Sequence, residues 1–220
     1  MLKKLSPEKL DEILEAGIEL FAEKGLHGAG MASIARQAGV SVGVLYKYYA
    51  NKEDFFQACL RHSLESLEGL LEELTSREDK LLNYSRRLIR ALQDFSALHP
   101  SHIRLYHQIT SSSGETARQL AEEIEGLSSR LYTRLISRGR ETGTLRRDMD
   151  PGLFAFFFDN LLMMLQFSYY CDYYRARMEL YCGGLPEDSA VEEQLLRFLE
   201  SAFTFERSLV PHGDPRGEND

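Results

Sequence analysis

The segment GLHGAGMASIARQAGVSVGVLYKYYANK, residues 25–52, decides the fold of this chain. Within it, Ile34, Ala35 and Ala38 fall at i, i+1 and i+4, which is the spacing of the buried stripe of a short helix. Gly39 follows at the position where a left-handed residue ends a helix, and glycine adopts that conformation without a Cβ clash. The segment is therefore predicted to contain a short helix that ends in a sharp turn.

A second short helix is predicted directly after this turn. Val40 can fill the corner, and Ser41 precedes an apolar and aromatic run, where its hydroxyl can accept a hydrogen bond from a free amide of the first turn. The predicted helix covers Val42–Tyr48. Two short helices joined by three or four residues that include glycine form the helix-turn-helix pattern, whose second helix enters the major groove of DNA with its N-terminus first.

The charge of this segment differs from that of the whole chain. Residues 24–52 contain Lys24, Arg36, Lys47 and Lys52 and no Asp or Glu, whereas the 220-residue chain has a formal net charge of -8. A glycine turn between short helices also occurs in all-α proteins that bind no nucleic acid. The cations and tyrosines of the acid-free segment favour DNA, because phosphates attract Lys and Arg.

The first residues of the second helix are expected to lie nearest the base edges. Val42 and Val44 offer apolar contact, which suits a thymine methyl group, and Gly43 lets the backbone approach closely. None of the three can make a bidentate hydrogen bond to a base. Sequence readout by one copy of this helix is therefore predicted to be weak.

The later residues of the same helix are better suited to phosphates. Tyr46, Lys47 and Tyr48 present hydroxyl and ammonium donors, which fix the register on DNA without reading its sequence. Asn51 and Asp54 then form a capping-box-like pair, which would place Lys52 at the start of the next helix, where anions are already attracted. By contrast, the spacing of Leu45 and Tyr49 with Phe55 and Phe56 predicts core positions.

The segment resembles the N-terminal domain of the tetracycline-repressor-like (TetR) family of bacterial regulators. The resemblance rests on MxxIAxxAGVSxGxLYxYYxxKEDF at residues 31–55 and on ILEAGIELFAEKGL at residues 13–26, in the expected order and spacing. The family usually has Thr near Gly30, where it caps the first of the two short helices and contacts phosphate, so this contact is expected to be weakened or moved to Ser33. The predicted DNA-contacting set is Ser33, Arg36, Ser41, Val42, Gly43, Val44, Tyr46, Lys47, Tyr48 and Lys52.

The remaining sequence predicts an all-α fold of about nine helices. Pro7 opens the first helix, Pro100 and Pro151 punctuate later ones, and no segment shows sustained alternation of apolar and polar residues. Residues 153–181 are apolar around most of a helical circumference, so this helix must be covered on more than one side. The domains are expected at 1–50 for the DNA-binding head, 51–207 for ligand binding and dimerisation, and 208–220 for a disordered tail.

The resemblance implies a homodimer and a small-molecule effector. The late helices, around 153–182 and 187–207, are expected to form the dimer interface, and an apolar cavity in the C-terminal domain would hold the effector. An effector such as a fatty acyl chain is suggested by the Met- and Tyr-rich interior, although aromatic stripes at helical spacing are more often core. The candidate ligand-binding residues are Phe95, Tyr106, Phe157, Asn160 and Met164.

Other chemistry is not indicated by the sequence. His99, His102 and His107 lie close together, but Pro100 interrupts the first pair and no paired carboxylate joins them, so neither a metal nor a cofactor is expected. Glu122, Glu123 and Glu125 look like a solvated helix face. Three cysteines without a CxxC pair are consistent with a reducing cytosol.

The function expected from these features is a cytoplasmic, ligand-responsive transcriptional regulator, most often a repressor, that binds a pseudo-palindromic operator as a dimer. The apolar run in residues 153–171 is interrupted by Asp159 and is too short thereafter to cross a membrane. The alternative is a helical ligand-binding or interaction module whose head has lost DNA binding, which Gly30, Met31 and the net acidity favour. A helical enzyme is the third possibility, and no catalytic motif supports it.

Overall fold

A computed structural model describes residues 5–75, 81–110 and 114–204, and all its regular elements are α-helices. The all-α class predicted from the sequence is confirmed, with ten helices in the described residues. The predicted tail at 208–220 lies outside the described residues. The helices are α1 Pro7–Gly28, α2 Met31–Gln37, α3 Val42–Tyr48, α4 Lys52–Thr75, α5 Leu81–Leu98, α6 Pro100–Ile109, α7 Gly114–Glu141, α8 Pro151–Tyr170, α9 Asp172–Cys182 and α10 Asp188–Thr204.

Helix α1 begins at a capped proline and is broken at a glycine. The Ser6 hydroxyl accepts a hydrogen bond from the amide of Lys9 at 3.3 Å, and Pro7 occupies the first turn, where no amide is needed. Gly25 has φ 68° and ψ 172°, so the regular helix stops there and one further turn follows.

The N-terminal core brings α1, α2, α3 and the start of α4 together. Phe21, Ile34, Leu45 and Phe55 are fully buried in it. Gly17 allows close approach of α1 and α4, because a Cβ there would lie 2.6 Å from the Phe55 ring. Leu105 and Ile109 of α6 belong to the same cluster, so α6 packs directly on the head.

A second core joins α4, α5, α7, α8 and α10. Phe158 packs edge-on against Tyr132 of α7 at 5.0 Å between ring centroids, and Phe154 packs edge-on against Phe203 of α10 at 4.4 Å. Helix α10 is also held by Glu192, which is buried and accepts hydrogen bonds from the guanidinium groups of Arg86 and Arg90 on α5. The late helices are thus fixed to the body of the domain.

The long apolar helix expected over residues 153–181 is divided in two. Cys171 has an extended backbone, with φ -107° and ψ 120°, and separates α8 from α9. The turn lets Tyr174 fold back onto Phe167 and His107. Helix α8 is the only described helix long and apolar enough to span a membrane, and here it packs against α5, α6, α7 and α9 as a core helix.

Candidate nucleic-acid interface and inner cavity

The turn between α2 and α3 has the geometry predicted from its glycine. Gly39 adopts φ 67°, and its amide donates to the carbonyl of Arg36 at 3.2 Å. The amide of Val40 donates to the carbonyl of Ala35 at 2.9 Å, and the Val40 side chain packs on the core. These two bonds satisfy the last carbonyls of α2 and set the direction of α3.

The start of α3 differs from the sequence prediction in one respect. Ser41 occupies the N-cap position with an extended backbone, but its hydroxyl makes no capping hydrogen bond, so the predicted side-chain cap is wrong. The amide of Val44 instead donates to the Ser41 carbonyl at 2.9 Å, as in a helical turn without a side-chain cap. The exposed hydroxyl is therefore free to bind another acceptor or donor.

One face of α3 is exposed and the other is anchored. Val42 is 40% exposed and Tyr46 is 52% exposed, and Gly43 and Lys47 also lie at the surface. Leu45 is fully buried, as predicted. The outer face thus combines a small apolar start with phenol and ammonium groups in its later part.

Two predicted phosphate-binding side chains also hold the head together. The hydroxyl of Tyr48 accepts a hydrogen bond from the amide of Leu5 at 2.8 Å. The ammonium of Lys52 donates to the carbonyls of His27 and Ala29, at 3.4 Å and 3.3 Å, at the end of α1. These bonds orient both groups at the rim of the exposed face of α3.

The capping pair predicted before α4 is present. The side chain of Asn51 accepts from the amide of Asp54 at 2.7 Å, and the carboxylate of Asp54 accepts from the amide of Ala50 at 2.9 Å. Tyr49 packs edge-on against Phe55 at 4.8 Å, consistent with its predicted core position.

Helix α2 contributes a charged edge to the same surface. Arg36 is exposed, and Ser33 is half-buried. Gly30 occupies the N-cap of α2 and offers no side-chain hydrogen bond, and a Cβ added there would meet no atom within 4 Å. A hydroxyl-bearing residue would therefore fit at Gly30 without displacing its neighbours.

The C-terminal domain contains an inner cavity of about 40 Å³ between α4, α5, α6, α7 and α8. The hydroxyl of Tyr106 donates to the Glu125 carboxylate at 2.5 Å and lies 3.3 Å from the sulfur of Met163. Burial, followed by the negative charge of Glu125, raises the pKa of Asp159 to about 7. The lining residues are Leu64, Leu67, Leu71, Leu92, Tyr106, Glu125, Leu127, Ser128, Tyr132, Asp159, Leu162, Met163 and Gln166.

Three of the five candidate ligand-binding residues, Phe95, Tyr106 and Met164, pack against one small cluster, whereas Phe157 and Asn160 lie apart from it. Tyr106 lines the inner cavity, whereas Phe157 is 53% exposed and lines a groove between α8 and α10. Phe95 stacks beside His99, and the amide of Asn160 donates to the Phe156 carbonyl of its own helix. Met164 packs in a third cluster, with Ile103 and Phe167.

Three polar residues of the cavity wall were not singled out by sequence reasoning. Glu125 is half-buried and accepts from Tyr106, so the expectation of a solvated face is wrong at this residue. Asp159 and Gln166 lie on α8 at a spacing of seven residues, which places them on one helix face. The two polar residues, seven positions apart in an otherwise apolar helix, are the sequence feature that could have indicated a polar site on this face.

The three histidines of α6 and its start do not converge. His99 and His102 have ring centroids 5.1 Å apart, but His107 packs against Phe167 and Tyr174 instead. Within the described parts of the chain, no group of three His, Cys, Asp or Glu residues is arranged to hold a metal ion.

Helix α6 connects the cavity to the head. Nε2 of His102 lies 3.0 Å from one oxygen of Glu15 on α1, and Nε2 of His62 on α4 lies 3.1 Å from the other. The side-chain amide of Gln108 donates to the carbonyl of Ala22 at 2.7 Å. Tyr106 lies on the same helix. A displacement of α6 at the cavity would therefore also displace the groups that hydrogen-bond to α1.

Comparison with known proteins agrees with this geometry. Residues 13–59 match the family model for bacterial regulatory proteins of the tetR family, and this region spans α1, α2, α3 and the start of α4. Residues 13–59 therefore form a tetR-family domain. The chain is 26% identical over 153 residues to a fatty acid metabolism regulator protein of Bacillus subtilis (strain 168), an alignment that covers 66% of the chain and 75% of the relative. The relatives that the chain matches are transcriptional regulators, which supports a regulator rather than an enzyme.

Solved structures share the fold over almost the whole chain. The ketosteroid transcriptional regulator KstR2 of Mycobacterium tuberculosis superposes with a TM-score of 0.66 at 22% identity, covering 92% of this chain and 98% of its own. AibR, solved in complex with isovaleryl coenzyme A and operator DNA, gives a TM-score of 0.66 at 19% identity, covering 86% and 97% of the two chains. At these identities the likeness establishes the fold of the C-terminal domain and not its ligand.

Proposed function

We propose that this chain is a cytoplasmic, ligand-responsive repressor that binds a pseudo-palindromic operator as a homodimer. The observation that carries the proposal is the exposed face of α3, where Val42, Gly43, Tyr46 and Lys47 lie at the surface of a segment without acidic residues. The start of the helix would contact base edges, and the phenol and ammonium groups would bind phosphates. Ser33, Arg36, Ser41, Val44, Tyr48 and Lys52 complete the proposed interface.

The late helices support the proposed dimer. Phe156 and Phe157 on α8 are 61% and 53% exposed, and Phe198 on α10 is 58% exposed. Phe157 and Phe198 line an apolar groove of about 390 Å³ between the two helices. Contiguous exposed aromatic groups of this kind mark association surfaces, and a two-fold dimer would bury the same patch on both copies.

A dimer would also compensate for the weak recognition of DNA sequence by a single α3. Valine and glycine discriminate poorly between bases, so specificity requires two half-sites read together at a fixed separation. The domains proposed are residues 1–50 for DNA and 51–207 for ligand and dimer contacts, with α8 and α10 in the interface ranges 153–182 and 187–207. Leu105 and Ile109 of α6 pack in the head core and provide the connection between the two functions.

Relief of repression would follow from the path through α6. One protein of similar fold is a ketosteroid transcriptional regulator and another was solved with isovaleryl coenzyme A, which supports a small-molecule effector for this chain. A ligand in the cavity would contact Tyr106, and α6 would transmit the displacement to α1 through His102 and Gln108. An effector can shift the heads only by its difference in affinity between the two states, which is typically about 1–3 kcal/mol.

The test is selection of operator sequences from a random duplex pool with the purified chain. The Tyr46→Ala/Lys47→Ala variant removes two exposed groups and no described intramolecular hydrogen bond, and Arg134→Ala on the exposed side of α7 is the matched control. Enrichment of an inverted repeat by the wild type and by Arg134→Ala, and not by the double variant, is expected. Absence of enrichment with folded, dimeric protein would favour the alternative of a ligand-binding module with an inactive head.

A further inference from the structure

The inner cavity has an excess of hydrogen-bond acceptors. One oxygen of Glu125 accepts a hydrogen bond from the Tyr106 hydroxyl. Its second oxygen lies 3.4 Å from the Ser128 hydroxyl. Gln166 is 5% exposed, and its Oε1 is buried and has no hydrogen-bond partner among the residues that the structure describes. A buried carbonyl oxygen left without a donor costs free energy of about 1–3 kcal/mol, so this oxygen is poised to accept a hydrogen bond from a bound molecule.

Negative charge in the cavity is also not balanced. Asp159 and Glu125 both line it, and in the described part of the wall no Lys, Arg or His is present. The titratable groups facing Asp159 are Glu125 and Tyr132 of α7, Tyr106 of α6 and, behind them, Tyr84 of α5, while α4 contributes leucines. Each of these groups is neutral or negative, so none can compensate an ionised Asp159.

We propose that this cavity binds a primary ammonium group, either as a small alkylamine or as the head of a larger apolar amine. The cation would lie between the carboxylates of Asp159 and Glu125 and donate a hydrogen bond to Oε1 of Gln166. The leucines of α4 would receive its apolar part, and Met163 can change rotamer to admit it. A carboxylate or phosphate at the same place would be repelled by the two acidic side chains and would have no cationic side chain to pair with among the described lining residues.

The proposed ligand carries a positive charge, unlike the fatty acyl effector expected from the sequence. The volume of about 40 Å³ holds only a few water-sized groups, so it fits a head group rather than a coenzyme. The role of the amine as an effector rests on the proposed function. Its binding to the cavity does not depend on that function. Binding measured without DNA therefore separates a failure of this inference from a failure of operator recognition.

The pH dependence of binding follows from the same groups. Because burial and Glu125 raise the pKa of Asp159 to about 7, the carboxyl is partly protonated near neutrality. An alkylammonium ion requires the ionised form, so its affinity should increase as the pH rises from about 6 to about 8, a range in which the amine itself stays charged.

The experiment is calorimetric titration of the full chain with butylammonium, butanol and butanoate, which share one chain length. Butylammonium is expected to bind at least about tenfold more tightly than the other two, since only it satisfies the acids. Asp159→Asn should lower its affinity at least about tenfold and remove the pH dependence, whereas Glu122→Gln, on the exposed face of α7, should change neither.

A second variant keeps the test decisive if Asp159→Asn does not fold. Gln166→Met preserves volume and removes the unpaired oxygen, and it should weaken butylammonium more than butyltrimethylammonium, which cannot donate a hydrogen bond. Equal or tighter binding of butanoate, or unchanged butylammonium affinity in the folded variants, would overturn the proposal.

Discussion

Nε2 of His102 on α6 lies 3.0 Å from the carboxylate of Glu15 on α1, and this contact joins the C-terminal domain to the head. His102 is buried, and Phe95 packs edge-on against its ring. The second oxygen of Glu15 contacts His62 of α4, so one carboxylate holds three helices together. Hydrogen bonds from His102 and His62 lower the pKa of Glu15 well below its usual range.

The stability of this junction should depend on pH in a defined direction. The hydrogen bond to Glu15 raises the pKa of His62 above 6.5, so its stabilisation is complete below 6.5 and is lost as the pH rises through the folded-state value. The stabilisation from Glu15 is present above 4.5 and is lost at acid pH. Urea unfolding of wild type and His62→Gln should therefore differ most between these values and converge at alkaline pH.

The matched control for this measurement is His27→Gln, which changes an exposed histidine at the end of α1. It should leave the pH profile of the free energy of unfolding unchanged. A His62→Gln profile parallel to that of the wild type across the whole range would contradict the assignment. Since His62 is partly exposed, the difference should stay within about 1 kcal/mol.

Gly39 is expected to tolerate alanine poorly because of its backbone conformation. Its φ of 67° is unfavourable for any residue with a Cβ, and no atom but the distant Lys9 ammonium is near that position. Gly39→Ala should lower the free energy of unfolding by about 1–2 kcal/mol through backbone strain. Urea denaturation measures the change.

The control is Gly69→Ala, inside α4, where an added Cβ meets no described atom within 4 Å. This substitution should raise stability by about 0.5–1 kcal/mol, because glycine is a poor helix former. If both variants were destabilised equally, steric crowding rather than backbone conformation would explain Gly39.

Lys47 should contribute one phosphate contact to operator binding. Lys47→Ala is expected to reduce the slope of log affinity against log salt by about 1 and to weaken specific and non-specific duplexes alike. Fluorescence anisotropy over a salt series measures both. Val44→Ala is the contrasting variant, since its effect should depend on the base sequence and leave the slope unchanged.

The exposed phenylalanines of α8 should be required for the dimer. Phe157→Glu places a charge in the apolar groove and should raise the dimer dissociation constant at least about 30-fold, the effect of losing an interface anchor. Leu98→Glu, at the end of α5 and 76% exposed, is the control. Sedimentation equilibrium showing an unchanged dimer for Phe157→Glu would exclude this surface.

The head could be predicted from sequence almost residue by residue, because its determinants are local. Gly39 dictates a turn, and the apolar spacing places Leu45 inside, so both follow from neighbours in the chain. The Ser41 cap failed because the same residue type can leave its hydroxyl to solvent at little cost. That choice depends on side-chain rotamers that the sequence does not encode.

The cavity could not be predicted in the same way, since its wall comes from five helices. Phe157 on α8 and Tyr106 on α6 are both apolar groups at helical spacing, and only the packing of the helices places Phe157 in the groove and Tyr106 in the cavity. At the break at Cys171, the Tyr174 ring packs on His107 of α6 as well as on Phe167, a contact with another helix that local pattern does not reveal. Long-range packing therefore decided what local pattern left open.

Helix α6 faces two sets of neighbours at once, and this limits how the chain can change over evolutionary time. A substitution at Tyr106 alters the wall of the inner cavity. It can also disturb the packing of α1 against the neighbouring Leu105. Substitutions at Asp159 or Gln166 change the cavity alone. If the cavity binds an effector as proposed, new ligand preferences should arise first on α8, with α6 retained as the connection to the head.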